Sequence, residues 1–101
     1  MYQLLIQNAL IYDGSGGEPF VGDIGIQDGK IIQVESGLSG GLQTIDAAGL
    51  AVSPGWIDSH SHSDSAILPY PDQREKVEQG VTFSITGQCG SSVAPTAGET
   101  M

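Results

Sequence analysis

A chain of 101 residues with 39% apolar residues and 15 glycines can build one modest core and suits a folded, turn-rich protein rather than a disordered one. Its formal net charge of −9, from twelve acidic and three basic residues, argues against nucleic acid or an anionic membrane surface as partner, because both need a positive footprint; the scattered acids read as solubility and avoidance of self-association. The single cysteine, Cys89, excludes an internal disulfide, no apolar run approaches the ~20 residues of a membrane span, and Met1-Tyr2-Gln3-Leu4-Leu5-Ile6 lacks the basic and apolar regions of a leader, so a reducing, cytoplasmic setting is expected.

In chain order, Leu4-Leu5-Ile6 and Ala9-Leu10-Ile11-Tyr12 are rich in strand formers and read as two short strands with a tight turn at Gln7-Asn8. Asp13-Gly14-Ser15-Gly16-Gly17 is a loop by composition. Residues 21–26 alternate apolar with small or polar residues, the pattern of a half-buried strand. Asp28-Gly29 is the strongest hairpin signal, since both residues tolerate the positive φ of a two-residue turn; residues 30–34 form the returning strand. After a second loop at 36–41, residues 44–47 and 50–52 make two more short strands around Ala48-Gly49. This spacing predicts a small antiparallel sheet or sandwich over residues 1–53.

The texture changes at Pro54-Gly55. Trp56-Ile57-Asp58-Ser59-His60 reads as a strand ending in polar groups, and a loop carries residues 61–71. Residues 72–79 are charged and free of Gly and Pro, a short helix with Asp72 as N-cap and Gly80 just past its end. Residues 81–86, dense in β-branched side chains, read as a buried strand. A helix between two apolar strands is a βαβ unit, which implies parallel pairing. Residues 87–95 form a Gly-rich loop after that second strand. Both polar clusters then lie at the C-terminal ends of adjacent parallel strands, the edge where α/β folds build active sites.

His60 and His62 are the only histidines. On a strand, residues two apart face one side roughly 6.6–7 Å from each other, so two imidazoles can converge on one ion; on a helix they would diverge by about 200°. The pair is a metal-site candidate. A plain polar loop is the competing reading, and the apolar strand entering the pair and the flanking Asp58 and Asp64 favour ligands, since carboxylates orient metal-bound imidazoles. Asp58 and Asp64 read as ligands, as anchors behind the ligands, or as Asx-turn residues; Asp64 continues the alternation of His60 and His62 and is placed beside the site. Cys89 stays open between a zinc-binding thiolate, an inert buried cysteine and a nucleophile, the last lacking a third histidine as its base. Trp56 and Phe83 read as core. Arg74 and Lys76 read as a solvated helix face beside Glu75 and Glu78. A catalytic zinc takes three protein ligands and a water, so two histidines, one cysteine and some carboxylates fall short of a complete hydrolytic site. The chain therefore reads as the front part of something longer, with strand edges that invite self-association.

These residues also carry a family likeness. Leu5-Ile6-Gln7-Asn8-Ala9 through Asp13-Gly14, then Asp23-Ile24-Gly25-Ile26-Gln27-Asp28-Gly29-Lys30-Ile31, Ile45-Asp46-Ala47-Ala48-Gly49 and Pro54-Gly55-Trp56-Ile57-Asp58-Ser59-His60-Ser61-His62 resemble the opening of the amidohydrolase superfamily, which includes dihydroorotase, hydantoinase and urease-type enzymes. Gly80-Val81-Thr82 with Gly87-Gln88-Cys89-Gly90 and Ala94-Pro95 resembles its N-acyl-D-amino-acid deacylase, or D-aminoacylase, branch. There the cysteine at this place is a zinc ligand, and the residue before it is usually asparagine where this chain has Gln88.

The resemblance implies that His60 and His62 are first-strand metal ligands, that Cys89 is a bridging or shared ligand, and that the full-length enzyme holds one or two zinc ions. It implies a small β-sandwich fused to a (β/α)8 barrel, with 1–53 and 54–101 the beginning of each. A barrel needs about 250 residues, so only its first strand, first helix and second strand fit here, without the family's later histidines and catalytic aspartate. The expected activity is hydrolysis of the linear amide C–N bond of a small N-acyl-D-amino acid, with this piece alone inactive and no certain catalytic residue in it. A cyclic-amide hydrolase and a non-catalytic β-rich binding or assembly module are the alternatives.

Overall fold

Residues Tyr2–Ile11 form one strand, β1, where the sequence predicts two. In the computed structural model, which describes residues 1–93, the chain bulges at Gln7-Asn8 instead of turning. Pairing shifts register between Ile6 and Ala9, and Asn8 takes φ 59°. An extra residue in a strand switches the phase of its side chains. Ile6, Ala9 and Ile11 therefore meet the same core although their spacing breaks the period of two. That phase break is what made the segment look like two strands. Asparagine tolerates the left-handed conformation, and Asp23 fixes it here: its Oδ1 accepts the Asn8 backbone N–H at 2.8 Å.

Strand β2 (Phe20–Gln27) runs antiparallel to β1, and β3 (Lys30–Glu35) returns antiparallel to β2. The turn between them is the expected Asp28-Gly29, with φ 50° and 70°. Strands β4 (Gly41–Asp46) and β5 (Ala51–Val52) both pair parallel with β1. The sheet is thus mixed rather than wholly antiparallel, because the chain after β3 crosses to the far edge of β1 instead of folding into another hairpin. Asp23 holds that crossing as well: its Oδ2 accepts the N–H groups of Gly37 and Leu38, each at 2.9 Å. The Asp23 residue is only 6% exposed, and these three amides keep its carboxyl below the usual carboxylate range, the Asn8 N–H most of all. Ala9, Ile11, Ile24 and Ala47 form the core on one face, with Ile6, Ile26 and Val52 packed against it. Among the described residues this is one layer of the expected sandwich.

The chain divides into two units, Met1–Pro54 and a second that starts at Gly55. In the second, β6 (Trp56–Asp58) and β7 (Val81–Ser84) pair in parallel, as the βαβ pattern predicts. Gly55 opens this unit, and a Cβ there would run into the side chain of Thr82. Two short helices lie between the strands, α1 (Ser63–Ala66) and α2 (Arg74–Val77). The first falls inside the predicted loop. The second is shorter than predicted and starts after Gln73, at φ 46°, rather than Asp72; Gly80 closes the segment at φ 80°, as expected. Trp56 and Phe83 are 61% and 60% exposed rather than core. A 3-10 turn at Gln88–Gly90 follows β7. Ala94-Pro95, the end of the predicted Gly-rich loop, lies outside the described residues.

Candidate metal centre

Strand β6 ends at Asp58, two residues before the predicted end, so the histidines sit on the loop that follows it. The loop is nonetheless fixed. Asp58 Oδ1 accepts the His60 N–H at 3.3 Å, an Asx turn that bends the chain. The Ser61 N–H donates to the Ile85 carbonyl at 3.0 Å, and the Ile85 N–H returns to the Asp58 carbonyl at 2.9 Å. His62 holds the N-cap position of α1, where its carbonyl accepts the Ser65 N–H at 3.2 Å and the Ser65 hydroxyl at 2.8 Å. Both imidazoles stay exposed, with ring centroids 5.5 Å apart and planes at 67°.

Cys89 comes from the turn that follows β7. Gly87 and Gly90 take φ 80° and 68°, and Cys89 itself takes φ 57° and ψ 27°. A left-handed conformation costs a non-glycine residue about 1–2 kcal/mol, and such strain collects where a site demands it. Its result here is a sulfur 3.3 Å from Nε2 of His60. Gln88 Nε2 donates to the Ser59 carbonyl at 3.2 Å, joining the two loops directly beside the sulfur.

One donor atom from each of His60, His62 and Cys89 lies within 4.8 Å of the others. Around a tetrahedral zinc, with bonds of ~2.0–2.1 Å to nitrogen and ~2.3 Å to sulfur, such atoms stand roughly 3.3–3.6 Å apart. The His60–Cys89 separation is already of that size, and the remaining ones need to close by about 1.5 Å or less between exposed side chains. Two imidazoles and a thiolate are a donor set suited to zinc, and three protein donors leave a fourth position for water or substrate. The cysteine is exposed, which removes the inert buried reading of it.

The other candidates serve differently. Asp58 turns its Oδ2 to Lys76 at 2.5 Å, and that bond, followed by the His60 N–H, holds its carboxyl below the usual range. Asp64 does not line up with the histidines, because the strand alternation ends at Asp58. It sits in the first turn of α1, where Oδ2 accepts the Val93 N–H at 3.3 Å. Arg74 is the expected solvated cation, paired with Glu78 at 2.5 Å. Lys76 is not: its side chain is 20% exposed and also donates to Ser61 Oγ at 2.8 Å. The sequence reading missed Lys76, Ser61 and Gln88. The one available signal was the place of Ser61 between the two histidines in sequence.

A family model described as the amidohydrolase family matches residues 43–100. The N-acyl-D-aspartate deacylase of Alcaligenes xylosoxydans xylosoxydans is 42% identical over 92 residues, which make up 90% of this chain and 18% of that protein. A solved D-aminoacylase, described as defining a novel subset of amidohydrolases, superposes with a TM-score of 0.88 at 37% identity, covering 96% of this chain and 21% of its own. The N-acyl-D-glutamate deacylase from Bordetella bronchiseptica, solved with zinc and a phosphonate mimic of the tetrahedral intermediate, superposes with a TM-score of 0.86 at 36% identity, covering 94% and 20%. The chain thus spans about a fifth of the length of the relatives it matches.

Proposed function

The chain belongs to the amidohydrolase family, and we propose that the whole protein is a zinc-dependent hydrolase that deacylates small N-acyl-D-amino acids. The observation that carries this is the convergence of His60, His62 and Cys89 on one point. A sulfur donor beside the histidine pair favours the deacylases over hydrolases of cyclic amides, in keeping with relatives named for deacylation of N-acyl-D-aspartate and N-acyl-D-glutamate. A free thiol in that role suits a reducing, cytoplasmic setting.

A zinc ion held there would supply Lewis acidity toward an acyl carbonyl and toward water at neutral pH. His60 and His62 would hold it through ring nitrogens. Cys89 would add one negative charge against the two positive charges of a zinc ion, which would leave the centre cationic. Asp58 bends the histidine loop by accepting the His60 N–H, and Gln88 ties the cysteine loop to it by donating to the Ser59 carbonyl. No described side chain stands ready to hand a proton to the leaving amine, and that role falls to a carboxylate contributed by the rest of the protein.

The test is release of free amino acid from N-acetyl-D-amino acids by the full-length protein. Turnover of the D series that a chelator abolishes and zinc restores is the expected result, with none from residues 1–101 alone. Turnover of hydantoin or dihydroorotate in its place selects a cyclic-amide hydrolase. Turnover that survives complete zinc removal contradicts the proposal.

A further inference from the structure

Lys76 is a cation beside the loop that carries two of the three candidate metal donors. Its ammonium reaches from α2 to Asp58 Oδ2 at 2.5 Å and to Ser61 Oγ at 2.8 Å. These two acceptors bracket His60 in sequence, and Ser61 precedes His62. Asp58 in turn accepts the His60 N–H, and Ser61 Oγ accepts the Ser63 N–H at 3.1 Å. Ser61 is buried. One ammonium thus closes a ring of hydrogen bonds around the short loop that carries both imidazoles. Its hydrogen bonds go to Asp58 and Ser61 rather than to either imidazole.

We propose that Lys76 is a positioning residue for the metal centre, fixing through Asp58 and Ser61 the loop conformation in which His60 and His62 converge with Cys89. The proposal rests on reading that trio as a zinc site. The physical consequence is a matter of population. A loop that holds the binding conformation for only a fraction of the time binds its ligand more weakly by that fraction. Groups standing behind metal ligands typically change affinity by about 10–100-fold when removed.

Electrostatics alone predicts the reverse sign. Replacing Lys76 by methionine removes a positive charge near the metal and frees the Asp58 carboxylate, and both changes favour a cation. The direction of the effect therefore separates positioning from simple charge.

The experiment uses the full-length protein and the metal alone. Zinc and cobalt(II) affinities are measured by competition with a chromophoric chelator, and the cobalt spectrum is recorded for its thiolate charge-transfer band. Wild type is compared with Lys76→Met, Lys76→Arg and Ser61→Ala. Lys76→Met should bind about 10–100-fold more weakly, with a weakened thiolate band. Lys76→Arg keeps the charge and the donors and should recover most of the affinity. Ser61→Ala removes one of the two anchors and should fall between wild type and Lys76→Met. It also decides the matter if Lys76→Met does not fold. Wild-type affinity or tighter binding in Lys76→Met, or in Ser61→Ala where only that variant folds, overturns the positioning role while leaving the metal site intact. Failure of the wild type to bind metal through sulfur overturns the metal reading itself, and the proposal with it.

Discussion

Replacing Cys89 by alanine and, separately, by glycine separates the backbone demand at this position from the thiol. Both variants lose the sulfur, so they differ only in how they meet φ 57° and ψ 27°. Alanine keeps the left-handed penalty of about 1–2 kcal/mol. Glycine escapes it but loses about 0.4–1 kcal/mol through the greater freedom of its unfolded chain. The balance leaves the glycine variant more stable by roughly 1 kcal/mol, a factor of about five in the folding equilibrium. With a urea slope of about 1–3 kcal/mol/M, the denaturation midpoint moves by ~0.3–1 M. The assay is urea denaturation of the metal-free proteins, followed by circular dichroism. Neither variant should regain metal affinity. An alanine variant as stable as the glycine variant would refute the reasoning: the backbone would not then be held left-handed, and nothing would aim the sulfur at His60.

Asp23→Ala strips an acceptor from three backbone N–H groups at once and should cost on the order of 3 kcal/mol, read from thermal or denaturant unfolding; a loss under about 0.5 kcal/mol would show that the bulge and the crossover hold without it. Acid should destabilise the protein through Asp23 and Asp58, whose carboxyls are held below their usual range. A pKa depressed on folding gives stability that is complete above the unfolded value of about 4 and lost as pH falls through the folded one. Denaturation midpoints should therefore drop most steeply below about pH 4, and a midpoint that rises on acidification contradicts this. Gly55→Ala forces a methyl group into Thr82 and should cost about 1–3 kcal/mol; Thr82→Gly, which removes the Cβ together with the two atoms beyond it, should recover most of that cost in a double-mutant cycle, and additive losses would show that the two residues do not meet.

Much of this architecture was legible because single residues carry strong local physics. Asp28-Gly29 can form its turn almost anywhere, and a helix between two apolar strands leaves parallel pairing as the simple outcome. The misses share a different cause. The β1 bulge depends on Asp23, 15 residues away from Asn8, and the parallel placement of β4 depends on the same carboxylate. No local pattern announces a side chain that satisfies distant backbone. The identity of the three donors was readable from residue type, but the route to them was not. Strand alternation was the expected device for bringing the histidines together, whereas an Asx turn at Asp58 and the start of α1 do it instead. Lys76 looked like surface because helical charge runs usually are, and its burial is set by the end of β6, which helix pattern cannot report.

Zinc-edge X-ray absorption on the full-length protein addresses the metal centre most directly. Imidazole nitrogens together with a sulfur at about 2.3 Å, the sulfur vanishing in Cys89→Ala, is the predicted result. Zinc bound in the wild type by nitrogen and oxygen alone, with Cys89 left free to alkylation, would contradict it.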